Sequence, residues 1–227
     1  MKNLGGISMK SELEIKQLKE KIIGRLSSIN REGISDLMDF LENKSDYFDA
    51  PASTKYHGNH ISGLMIHCDY LVEAMLRKNK LYNLGISEET IYLTGYLHDL
   101  CKVDFYEKAY DIKKHPTTGA WASVPSYKCE EELPLGHGEK SLSVAQDYIK
   151  LTADEKMMIR WHMGVFQSHD DIKGFSSACS KCKGVALISS TDFEVDHFLE
   201  IVVDIQYLDI RYYNDYVKAK ALKEGAK

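Results

Sequence analysis

The sequence predicts an all-α fold, a helical bundle with a small β-hairpin insertion around residues 106–135. Three observations carry that prediction. Apolar residues recur at three- and four-residue spacing along most of the chain, and the breaks between these runs hold helix start and stop signals. One stretch, rich in aromatics, Thr and Pro, changes to a strand-like pattern.

Taken in order, residues 12–41 read as two helices split near Asn30-Arg31-Glu32-Gly33, and residues 46–59 as a loop containing Pro51. A helix over 61–79 follows. Ser87 has the character of an N-cap, and Glu88 and Glu89 suit the positive end of a helix dipole, so a further helix is expected from Glu88 to about Lys102. Residues 106–135 read as a hairpin turning at Thr118-Gly119. Helices resume over 139–150, and Thr152-Ala-Asp-Glu155 has the spacing of a capping box, opening a helix that Gly164 would close. The Ser, Cys and Gly stretch beyond it reads as looser structure. Two last helices, 185–200 and 205–222, complete the bundle. Residues 1–50 are expected to form a helical extension packed on a domain of residues 51–227.

A chain of 227 residues with 44% hydrophobic and 28% charged residues suits one ordinary globular core. It has no apolar run near the roughly 18 residues a membrane span needs, and residues 1–10 lack the apolar core of a signal peptide, so a cytoplasmic protein is expected. Five scattered cysteines are expected to stay reduced; one Cys179-x-x-Cys182 pair cannot complete a tetrahedral zinc site. A net charge of −5 argues against broad nucleic-acid affinity, which needs a cationic surface.

Against this background several polar residues break the apolar pattern. His67 shares a helical face with Leu64, Leu71 and Ala74; Asp192 shares one with Val185, Ile188, Val195 and Leu199. A carboxylate buried there needs a cation, and the arginines are few: Arg25, Arg31, Arg77, Arg160 and Arg211. His162 sits at a helix end, and His137 lies between two glycines. His98 and Asp99 are neighbours about 100° apart on an expected helix, with Lys102 on the same side. Singly, each has a plainer reading: a core histidine, an arginine partner, a dipole-stabilised helix end, a turn histidine, a lysine paired with Asp99 or Glu107. Together, imidazoles and carboxylates converging from separate helices are the ligand set of Mn, Fe, Co, Ni or Zn, and six exceed what one open site takes.

The order His67, His98-Asp99, His137, His162, Asp192 resembles the H…HD…H…H…D signature of the HD-domain phosphohydrolase superfamily. The likeness spans about Pro51 to Leu199. Leu97-His-Asp-Leu-Cys-Lys102, Gly136-His137 and Trp161-His162-Met-Gly164 resemble motifs of the HD domain in bacterial 3′-5′ exoribonucleases. Gly58, Ser62 and Trp161 depart from that group, and the chain has no room for its accompanying nucleic-acid domain. Stand-alone bacterial and phage HD hydrolases are the nearer analogue.

The resemblance implies a helical bundle with one or two divalent ions, Mg included. Asp99 would be shared, His67, His98 and Asp192 would hold the first ion, and His137 and His162 the second. It implies hydrolysis of a phosphoester in a nucleotide or a short nucleic acid by a metal-activated water, with Asp99 and Lys102 as catalytic residues. Lys102 would bind a nonbridging phosphoryl oxygen. Lys55, His57, Lys140 and Arg160 are candidate substrate contacts, and Lys113, Lys114 and His115 lie near the same motifs. Tyr110, Trp121 and Tyr127 of the insertion could stack on a base, or pack the insertion onto the helices. The expected partner is a small phosphate ester, with short RNA or single-stranded DNA as alternatives and a homodimer as a further expectation. The same ligands can hold a di-iron oxygenase centre, and a nucleotide-binding regulatory module is a third reading.

Overall fold

The computed structural model describes residues 12–54, 58–114, 119, 121–166 and 171–199. These are mostly helical, with one two-stranded antiparallel sheet. The expected helix over 205–222, together with Lys55, His57 and His115, lies outside the described residues.

Helix α1 (Glu12–Ser27) sets Leu18, Ile22 and Leu26 on one buried face, and α2 (Ile34–Asn43) buries Leu37 and Leu41 at the same four-residue spacing. The centre of the bundle is α3 (Gly63–Leu81), flanked by α1, α4 (Glu88–Leu97) and α8 (Lys183–Glu194). Leu64, Leu71 and Met75 of α3 are fully buried. Each such side chain contributes roughly 1.5–3 kcal/mol of burial, enough to hold a polar residue, His67, among them. Gly95 lets α3 and α4 meet closely, since a Cβ there would come within 2.5 Å of Val72 Cγ2.

The helix through residues 98–102 needs correction. Helix α4 stops at Leu97, His98 caps it, and Asp99 has φ −110° and ψ 25°. The reason lies in the histidine. His98 Nδ1–H donates to the Gly95 carbonyl at 2.8 Å, occupying the oxygen that the Asp99 N–H would need to continue the helix. The chain tightens into a 3₁₀ turn (Leu100–Lys102), in which residues three apart eclipse, and this sets Lys102 over Asp99.

Strands β1 (Tyr106–Lys114) and β2 (Trp121–Cys129) form the hairpin, Tyr106 opposite Cys129 and Lys114 opposite Trp121. Tyr110, Ile112 and Trp121 are largely exposed, and Tyr127 meets Tyr106 edge to face.

Helices α5 (His137–Tyr148) and α6 (Ala153–Arg160) follow. The Thr152/Glu155 capping box forms as expected, but α6 ends at Arg160, before Gly164, whose φ of 57° opens a short 3₁₀ turn, Gly164–Phe166. The stretch read as loose contains α7 (Ile172–Lys181). Helix α8 runs into a π-helical turn, Val195–Leu199. All five cysteines are free, and no helix among the described residues is long and apolar enough to cross a membrane.

One buried ion pair ties three elements together. Arg31, in the α1–α2 loop, donates to Glu155 Oε2 at 2.6 Å and also pairs with Glu89 of α4. The fully buried Glu155 accepts as well from Thr90 Oγ1 at 3.2 Å and from the Thr152 N–H at 2.8 Å. Burial opposes its charge, but Arg31 and Thr152 hold its pKa below the usual carboxylate value. Its stabilisation is therefore full above the unfolded-state pKa and lost as pH falls through the depressed one. Glu155→Gln is expected to cost about 3 kcal/mol in urea unfolding at pH 7, the low end for breaking a buried pair because Arg31 keeps Glu89.

Candidate metal centre

Four elements deliver His67, His98, Asp99, His162 and Asp192 to one buried point: the second turn of α3, the end of α4 and its following turn, the segment after α6, and the last turn of α8. The ligating atoms are close. His67 Nε2 lies 3.2 Å from His98 Nε2 and 3.2 Å from Asp192 Oδ1, while His98 Nε2 lies 3.2 Å from Asp99 Oδ2 and 3.5 Å from Asp192 Oδ1. His67 Nε2 and Asp99 Oδ2 are 3.6 Å apart. Ligands held about 2.1 Å from an ion stand about 3.4 Å apart at a tetrahedral edge and about 3.0 Å apart at an octahedral one. The observed separations, 3.2–3.6 Å, fall from within that range to about 0.2 Å beyond its tetrahedral end.

Tautomers sharpen the point. A backbone carbonyl only accepts, so the Nδ1 atoms of His98, on Gly95 O, and of His162, 2.8 Å from Ile159 O, carry hydrogen. The Nε2 of each neutral ring then turns a lone pair inward, the arrangement that metal-ligating histidines share. His67 Nδ1 faces a carboxylate, Asp196 Oδ1, at 3.5 Å. The buried His162 Nε2 and Asp192 Oδ1 have no hydrogen-bond partner. Buried polar atoms without partners are rare, and inward lone pairs beside carboxylates repel unless a cation or a proton joins them. The residues fit a metal ion.

The protein's own charges divide as follows. Burial opposes ionisation of Asp99, but Lys102 and His98 hold its pKa well below the usual carboxylate value. Asp192 is likewise held low, against its burial, by His67 and His98. Burial disfavours charge on His98, yet Asp99 and Asp192 outweigh it and raise its pKa well above the ordinary histidine value. Burial and the neighbouring His98 lower His162 to about 4. The Lys102 ammonium and the His98 ring thus face the Asp99 and Asp192 carboxylates across the cluster. His98 ligates only as the neutral ring, and its pKa is raised, so binding of a divalent ion to chelator-treated protein is expected to release protons, more of them at lower pH. Calorimetric titration in buffers of different ionisation heat measures this, and the release should fade as pH rises past the raised His98 value.

Asp99 works on two sides. Oδ2 faces His67, His98 and, at 2.7 Å, Lys102 Nζ; Oδ1 faces His162 Nε2 at 3.6 Å and Cys101 Sγ at 3.9 Å. His137 is less central than the resemblance implies: it is exposed, at the first turn of α5, with Nδ1 3.3 Å from Cys101 Sγ. Gly138 permits this position, because a Cβ there would come within 2.0 Å of the Arg160 carbonyl oxygen, at the end of α6. Lys102 is buried in its pair with Asp99. Lys140 pairs with Glu131 at 2.8 Å, and Arg160 with Glu139 and Asp171, so carboxylates already occupy both of these candidate substrate contacts.

Beside the cluster opens a cavity of about 880 Å³ whose lining includes His162, Asp192 and Asp196. Val165, Phe166, Phe175 and Phe193 make its apolar wall, and its described lining holds no lysine or arginine. Two residues of the site escaped sequence reasoning. Asp196 is four residues after Asp192 and so on the same helical face, a signal that was available. Cys101 gave none, since on the helix expected through Lys102 it lies two residues, about 200°, from Asp99 and so on the opposite face.

The fold and site define a mostly helical protein with a buried histidine and aspartate cluster that can hold a metal ion. Comparison of the chain with protein-family models, curated proteins and solved structures finds no match.

Proposed function

We propose that the protein is a metal-dependent phosphohydrolase of the HD type, acting on a phosphoester of a nucleotide or short nucleic acid. The observation that carries this reading is the meeting of His67, His98, Asp99 and Asp192 at ligand-edge distances, with His162 against the second oxygen of Asp99. A divalent ion held there would supply a Lewis acid, lowering the pKa of water and neutralising phosphoryl charge. Asp99 positions the two halves of the site through its separate oxygens. The Gly95 and Ile159 carbonyls fix the His98 and His162 rings, as outer-shell groups do in such centres, and Asp196 Oδ1 lies 3.5 Å from His67 Nδ1. Lys102 keeps Asp99 ionised and brings a buried positive charge to the side where phosphate oxygens would lie.

The test is a screen of nucleoside mono-, di- and triphosphates, short RNA and cyclic dinucleotides with Mn²⁺, Co²⁺ and Ni²⁺. A hit whose turnover disappears in Asp99→Asn supports the reading, and full turnover by that variant overturns it. The apolar cavity favours one second reading, a di-iron oxygenase with the same ligands acting on an uncharged substrate. Oxygen uptake by iron-loaded protein, without phosphate release in the screen, would select it.

A further inference from the structure

The first cluster leaves three groups unexplained: Cys101, the outer oxygen of Asp99, and His137. Cys101 Sγ lies 3.3 Å from His137 Nδ1 and 3.9 Å from Asp99 Oδ1, and the ligating atoms of all three lie within 4.8 Å of one another. Around an ion with sulfur at about 2.3 Å and nitrogen or oxygen at about 2.1 Å, a tetrahedral edge is about 3.6 Å, which the two distances bracket. A second observation is independent of the thiol: His162, nine-tenths and more buried, sets an unpartnered Nε2 3.6 Å from the same Asp99 oxygen.

The group is built on rigid elements. The Cys101 N–H donates to Oγ of the fully buried Ser141 at 3.1 Å, locking the 3₁₀ turn to α5, and His137 begins that helix. The thiol is buried and His137 is exposed, so the group reaches from the cluster to the surface.

We propose that Cys101 is a metal ligand, forming with Asp99 and His137 a second, sulfur-bearing cation site beside the first. The inference rests on this region being a metal centre, and not on the reaction assigned to it. As the sulfur–metal bond forms, the thiol gives its proton to solvent; no electrons move. Thiolate and imidazole prefer zinc, iron(II) or cobalt(II), whereas carboxylate and water suit Mg²⁺ and Mn²⁺. The two positions therefore differ in chemistry: an N/O site inside, and an S/N/O site toward the surface that selects a thiophilic ion.

Cobalt(II) titration of the whole, chelator-treated chain tests this, because a cobalt–thiolate bond gives a charge-transfer band in the near ultraviolet that N/O ligation does not. The expected result is a saturable band, lost in Cys101→Ser and retained in Cys68→Ser, whose thiol lies against His98. His137→Ala, at an exposed position, should weaken the same band without a folding defect. Loss of a direct ligand should lower cobalt affinity at this site by more than the roughly tenfold to hundredfold cost of losing an outer-shell partner. Visible cobalt bands with no thiolate band, or a thiolate band that survives Cys101→Ser, would overturn the proposal and leave the inner centre standing. No bound cobalt at all by equilibrium dialysis would overturn both.

Discussion

Asp99→Asn is expected to remove metal from the centre and to lower turnover of any substrate found by more than the roughly 10²–10³-fold cost of deleting one electrostatic stabiliser. The expectation follows from its two oxygens, one shared with His67 and His98 and the other against His162. Removing the charge takes an anionic ligand from every cation position in the cluster at once, while the amide nearly keeps the volume. Metal content after dialysis and initial rates measure the two effects separately. A variant that kept both metal and rate would mean that the centre lies elsewhere.

Lys102→Met should have the largest effect on stability, and the effect should depend on metal. Lys102 and Asp99 are each less than a tenth exposed, and their charged atoms are 2.7 Å apart. Removing one member of a buried pair costs about 3–5 kcal/mol, chiefly because the remaining charge is stranded. In chelator, the variant is expected to lose about that much in urea unfolding. With saturating zinc or manganese most of the loss should return, because a divalent ion neutralises Asp99 in place of the ammonium. Equal losses with and without metal would show that no ion reaches Asp99. If Lys102 also contacts phosphate, turnover by the folded, metal-loaded variant will remain about 10²–10³-fold low; if it serves only to hold Asp99, turnover will recover with stability.

Much of the helical architecture was legible because burial and periodicity are local signals. The faces Leu18/Ile22/Leu26 and Leu37/Leu41, the Ser87 and Thr152 caps and the hairpin all follow from residue spacing and cap chemistry. Helix α7 was missed because its Ser, Gly and Cys content hides an amphipathic pattern. The end of α4 was missed because a side chain, His98, competes for a backbone carbonyl, a choice that helix propensity does not register.

The sequence by itself determined that a mostly helical bundle would carry histidines and aspartates on otherwise apolar faces, at His67 and Asp192 above all. Hydrophobic burial forces residues on such faces inward wherever the helices go. Only the tertiary structure decided which of them meet. It joined His67, His98, Asp99, His162 and Asp192 at atomic distance, moved His137 to the rim beside Cys101, engaged Lys102 with Asp99, and set Lys140 and Arg160 against carboxylates. Those outcomes depend on close helix approaches at Gly95 and Gly138 and on one broken hydrogen bond at Gly95, which no local pattern encodes.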